Sequence, residues 1–89
     1  MAASQQQRII FGLKIKQFRQ ERGWNFEELS QRTGISISYL NEIEKGKKYP
    51  KRDKILLLSE ALDSTYDQMV SLKLDKNLAP IGEILQSRI

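Results

Sequence analysis

The 89-residue chain has no cysteine and no histidine. With neither thiolate nor imidazole, zinc-type sites and the usual acid–base and nucleophilic catalytic sets are closed to it. A carboxylate-only active site would need paired carboxylates, and none stand out. We therefore expect no enzymatic activity and no cofactor. No apolar run approaches the ~20 residues that a membrane span requires. The leading segment, MAASQQQR, lacks the apolar stretch of a secretory signal. A soluble, cytoplasmic protein without membrane association is the expectation, although a lack of cysteine fits any compartment.

What is present is charge, unevenly placed. The net charge is +4. Residues 1–54 carry twelve basic and six acidic side chains, whereas residues 55–89 carry three basic and five acidic ones. Such asymmetry suits a polyanionic partner. A solvated Lys/Arg face is the plainer alternative. The length allows one small domain with one core.

Hydrophobic periodicity points to helices throughout. The first is expected from about Gln5 to Arg22, with Phe11, Ile15, Phe18 and Arg22 on one face and Ile9, Ile10 and Leu13 widening it. Gly12 inside it costs roughly 1 kcal/mol against Ala unless close packing needs its small size. Gly23 ends the helix as a left-handed cap. A second helix begins at Asn25, where Asn25 and Glu28 resemble a capping box. Leu29 faces inward. Gly34 stops the helix, in a bend that wants positive φ, and it is the residue expected to be least replaceable.

A third helix starts with Ser36 as N-cap and runs to about Lys45. Leu40 and Ile43 point to the core, leaving Ile37, Ser38, Asn41, Glu42 and Lys45 largely outward. Pro50 separates a basic loop from a fourth helix, about Arg52 to Leu62, with Ile55, Leu58 and Leu62 buried and Leu57 and Ala61 near. A fifth begins at a Thr65–Gln68 capping box, and Tyr66, Met69, Val70 and Leu72 close the core. The fold class is thus all-α. In the tail, Pro80 fits the first turn of a sixth helix, with Ile81, Ile84, Leu85 and Ile89 on one face. We divide the chain into an N-terminal arm (1–8), a helix–turn–helix domain (9–72) and a C-terminal linker or helix (73–89) that is a candidate dimerisation segment.

The run GISISYLNEIEKGKKYP, residues 34–50, carries the functional signal. A polar-started helix follows a glycine turn, and a cluster of positive charge follows the helix. That is equipment for laying a helix in a major groove and gripping the flanking phosphates. Asn25 and Ser36 sit where helix N-termini present free N–H groups. Lys45, Lys47, Lys48, Lys51 and Arg52 flank the recognition helix. Tyr39 and Tyr49 can donate phenolic hydrogen bonds to phosphate, or pack into the core.

From Phe11 to Val70 the sequence resembles the Cro and phage-repressor type of helix–turn–helix domain, the XRE-like group with the lambda-repressor-like fold. Arg19, Leu29, Gly34, Ile35, Ser36, Leu40, Ile43, Glu44, Gly46 and Pro50 carry the resemblance together. It implies five helices and a recognition helix at about Ser36 to Lys45. It further implies base-facing positions at Ile37, Ser38 and Glu42, with Asn41 nearby. Ser38 pairs with several bases or serves the helix start alone. Ile37 packs on a thymine methyl or against the second helix. Glu42 accepts from cytosine N4 or stays solvated beside Lys45. The family often has Gln at the first position of the second helix; Phe26 stands here, and a phenyl ring cannot take over that hydrogen bonding. Arg19 and Glu44 correspond to a partly buried ion pair that would fix the recognition helix on the first.

The expected function is sequence-specific binding of double-stranded DNA by a transcriptional regulator, as a homodimer on a palindromic operator. The alternative is a protein-interaction module, or a small antitoxin or controller that binds both DNA and a partner. The tail also resembles the junction in longer bacterial regulators, so a C-terminal effector domain missing from this sequence is a further expectation.

Overall fold

Short polar side chains set where the helices begin. In the computed structural model, which describes residues 3–73, the helices are α1 (Gln5–Glu21), α2 (Phe26–Thr33), α3 (Ile37–Glu44), α4 (Arg52–Ala61) and α5 (Tyr66–Val70). Ser4, Asn25, Ser36 and Thr65 each accept from the backbone N–H three residues on, filling a donor that the helix start leaves open. Ser4–Gln7 and Thr65–Gln68 are complete capping boxes. At Asn25 only half of the box forms, because the Glu28 carboxylate turns to Arg32 instead, at 2.8 Å. The 1–8 segment is not a free arm over its described part. Helix begins at Gln5, and Arg8 anchors it by donating to the carbonyls of Ala3 and Gly46.

The core is a cluster of buried side chains from all five helices and the α2–α3 turn: Phe11, Ile15, Leu29, Ile35, Leu40, Ile43, Ile55, Leu58, Leu62 and Met69. The α1 helix packs on α3 and α5, α2 on α3 and α4, and α4 on α5. No strand occurs among the described residues. Several apolar positions expected in or near the core face outward instead. Ile9, Leu13, Leu57 and Leu72 are all exposed. On α1 the buried arc is narrower than the apolar stripe, and Lys14 occupies the place next to Leu13. Its stem is covered while its ammonium donates to the carbonyls of Gln68, at 2.7 Å, and Ser71. A cation thus closes the C-terminal end of α5, where helix carbonyls lack intrahelical partners. The expected sixth helix, with Ile81, Ile84, Leu85 and Ile89, lies outside the described residues.

Two glycines are needed for different reasons. Gly34 has φ of 77° and caps α2 in the left-handed region, with open space where a Cβ would go. Gly12 has ordinary helical geometry, but a Cβ there would sit 2.4 Å from the Ile43 carbonyl oxygen. Gly12 therefore lets the α1 backbone lie directly against that of α3. By propensity alone Gly12→Ala would stabilise the helix by about 1 kcal/mol. The clash is with backbone, which cannot swing aside, so overpacking reverses the sign and costs about 2–3 kcal/mol. Gly34→Ala costs about 1 kcal/mol, for its φ alone. Thermal denaturation of the two variants should show the larger loss at Gly12.

Candidate nucleic-acid interface

The turn between α2 and α3 is braced from within. Ser30 Oγ donates to the Ile35 carbonyl at 2.6 Å, and Thr33 Oγ1 accepts from the Ile35 N–H at 3.1 Å while donating to the Leu29 carbonyl. Both polar groups of Ile35 are thereby satisfied as its side chain enters the core. The bend delivers Ser36 as the cap of α3, its oxygen accepting from the Tyr39 N–H. Leu40 and Ile43 then bury one face of α3, and Ile37 and Ser38 are left exposed at its start. Asn41 and Glu42 are half-buried and Lys45 is exposed.

The far end of α3 is held by an ion pair. Arg19 Nε and Nη2 donate to the two carboxylate oxygens of Glu44 at 2.7 and 2.9 Å, and Nη1 donates to the Trp24 carbonyl at 2.8 Å. Side-chain exposure is 13% for Arg19 and 6% for Glu44, so the pair is largely out of water. The hydrogen bonds to Glu44 push the guanidinium pKa up, against the downward pull of burial. Phe26, the first residue of α2, lies against the same guanidinium, 4.4 Å from ring centroid to Cζ. A cleft of about 270 Å³ opens beside this group, lined by Lys16, Arg19, Phe26, Asn41, Glu44 and Lys45.

Basic side chains follow α3 in the chain, and Lys45, its C-cap, and Lys48, beside Glu42 and Tyr39, lie against it. Lys45, Lys47, Lys48, Lys51 and Arg52 are all exposed. Glu42 meets Lys48, not Lys45, at 3.9 Å. Tyr39 is half-buried, with the ammonium groups of Lys48 and Lys54 each 5.5 Å from its ring centroid. Tyr49 turns inward to Phe11, ring centroids 5.1 Å apart. Burial, followed by the field of Tyr66, pushes its phenol pKa up. Arg52 stacks on Tyr66 at 4.6 Å. Asn25, exposed at the start of α2, keeps its side-chain oxygen on the Glu28 N–H. Reading the sequence missed Lys16, and it took Phe26 as a hydrophobic staple or a cover for the turn; only the fold brings both to the cleft beside α3, with Phe26 against Arg19. Among the described residues no cluster of His, Cys, Asp or Glu could hold a metal ion, and no helix is long and apolar enough to cross a membrane.

A braced turn leading into an exposed short helix, in an all-helical domain, defines a helix–turn–helix protein. Residues 15–69 match the family model described as Helix-turn-helix, and the chain belongs to that family, in its XRE type. It is similar to the HTH-type transcriptional regulator SinR of Bacillus subtilis, 42% identical over 36 residues that make up 40% of this chain and 32% of SinR. The chain thus spans about a third of the length of the SinR relatives it matches. It is also similar to the uncharacterized HTH-type transcriptional regulator YazB of the same organism, 33% identical over 60 residues, 67% of this chain and 87% of YazB. The crystal structure of the hypothetical transcription factor NHTF from Neisseria has the same fold, with a TM-score of 0.69 at 22% identity, over 80% of this chain and 83% of that one.

Removing one partner of the Arg19–Glu44 pair leaves the other charge stranded among buried groups. Arg19→Met should cost about 3 kcal/mol in chemical denaturation, and the Arg19→Met, Glu44→Met double variant distinctly less than twice that. Tyr49 sets an alkaline limit. Its folded pKa is raised, so its contribution to stability is intact below the ordinary phenol value of 10.0 and is lost as pH rises through the folded value. Tyr49→Phe should remove that part of the alkaline decline, as followed by circular dichroism.

Proposed function

We propose that the protein is a sequence-specific binder of double-stranded DNA that regulates transcription. In this reading α3 enters the major groove, and Ile37, Ser38, Asn41 and Glu42 face the base edges. Lys45, Lys47, Lys48, Lys51 and Arg52 meet phosphates, together with Asn25, Ser36 and Tyr39 near the helix starts. The observation that carries it is the juxtaposition on α3. Its start is exposed and polar, its back is in the core, and exposed cations follow it immediately. Tyr49 is better assigned to packing, since its ring lies against Phe11. The regulatory names of SinR and YazB support the transcriptional role. One eight-residue helix reads few bases, so two copies on a palindromic site, with recognition helices ~34 Å apart, suit the need for specificity.

The outward-facing Ile9, Leu13, Leu56 and Leu57 favour a second reading, a protein-interaction module of the antitoxin or controller kind. Charge reversal separates the two. The Lys47→Glu, Lys48→Glu variant should lose duplex retardation by more than about tenfold with its fold intact, since both side chains are exposed. If each of two protomers neutralises about four phosphates, log K should fall against log salt with a slope near −7. Affinity insensitive to salt and to the reversal would transfer the weight to the interaction module.

A further inference from the structure

We infer that Phe26 is a base-reading residue that packs on the 5-methyl group of thymine, beside an adenine met by Asn41. The inference rests on the major-groove reading above and adds a sequence preference to it. Phe26 is half-buried at the first position of α2. The Arg19 guanidinium lies over its ring, which occupies one face. The same ring lines the cleft beside α3, together with Asn41 and Lys45. Asn41 stands one helical turn after Ile37, which is 46% exposed, so the two share an outward strip of α3. Phe26 therefore brings an apolar surface from α2 to the edge of the surface that would meet the bases.

The chemistry of that surface narrows what it can recognise. A phenyl ring has no hydrogen bond to give, and it offers nothing to a phosphate. In the major groove the apolar group that a base presents is the C5-methyl of thymine. A carboxamide matches adenine, donating to N7 and accepting from the N6 amino group. A T·A pair, or two adjacent A·T pairs, presents methyl and adenine edge side by side. The rims of the cleft bear the exposed cations Lys16 and Lys45, and neither is in an ion pair within 4 Å among the described residues. They suit the phosphates that border the same base pairs.

The test removes the methyl groups and nothing else. A duplex enriched by the protein from random DNA is resynthesised with deoxyuridine for every thymidine. Wild-type protein should bind the uracil duplex about tenfold more weakly than its thymine parent, the size expected for one buried methyl in each of two half-sites. Phe26→Ala should bind the thymine duplex about tenfold more weakly and no longer distinguish the two. Circular dichroism monitors the fold. Phe26→Gln gives the same readout with a side chain of similar length that can hydrogen-bond. Equal wild-type affinity for both duplexes overturns the inference. So does a folded Phe26 variant that keeps the full thymine preference, which would assign the methyl contact to Ile37. Failure to enrich any duplex at low salt overturns the DNA reading itself, whereas enrichment without methyl sensitivity overturns only the role of Phe26.

Discussion

The orientation of α3 depends on one guanidinium. Arg19 sends all three of its nitrogens to fixed acceptors, two to Glu44 and one to the Trp24 carbonyl, and lies over the Phe26 ring. The middle of α1, the start of α2 and the last residue of α3 therefore meet at a single side chain. Gly12 brings the α1 backbone against the Ile43 and Glu44 carbonyls at the same junction. The opposite end of α3 is set by the braced turn and the Ser36 cap. A helix fixed at both ends has little freedom to roll or tilt. That matters more than the pair's net energy, because burying two charges offsets much of their attraction.

Glu44 shows how local and global demands conflict here. A carboxylate in the last turn of a helix faces the negative end of the macrodipole, and α3 has no basic residue in that turn to relieve it. In isolation this is a poor choice. In the fold, the Arg19 guanidinium arrives from α1 and neutralises it. Sequence positions that break a local rule often have such a tertiary reason. A second consequence concerns the surrounding field. Since Glu44 is matched inside, it does not draw on the lysines that follow α3. Glu42, half-buried, does engage the exposed Lys48 at 3.9 Å, a contact of small energy.

Much of the fold was legible because helix ends have chemical signatures. Ser36, Asn25 and Thr65 announce their helices, and Gly34 announces the bend. The inward positions Leu29, Leu40, Ile43, Ile55, Leu58 and Leu62 followed from spacing. What spacing cannot give is the width of the buried arc, which depends on the neighbour that covers it. Ile9, Leu13, Leu57 and Leu72 are apolar and yet exposed for that reason. Lys14 is the converse: an amphipathic residue buried because carbonyls 54 and 57 residues away converge on its ammonium. Arg22 likewise reaches the Leu62 carbonyl, a contact 40 residues apart. At the candidate site the cationic loop and the exposed start of α3 were readable. Lys16 was not, since its nearness to Lys45 exists only once α1 lies beside α3.

On the proposed DNA-binding reading, affinity and specificity fall to different parts of the surface. Exposed lysines give an attraction that any polyanion can satisfy, and its strength falls with salt. Discrimination has to come from groups whose position is fixed within a fraction of an ångström. On α3 those groups are few, since Leu40, Ile43 and Glu44 are all turned to the protein and the helix is only eight residues long. The start of α2 is the nearest rigid element that can add to them. It is rigid because Asn25 caps it and because Phe26 shares the Arg19 guanidinium with Glu44. The contact that holds α3 at its angle thus also places an aromatic ring at the border of the cleft beside it. A flexible polar side chain at position 26 would lose much of that stacking, and with it the coupling between α2 and α3.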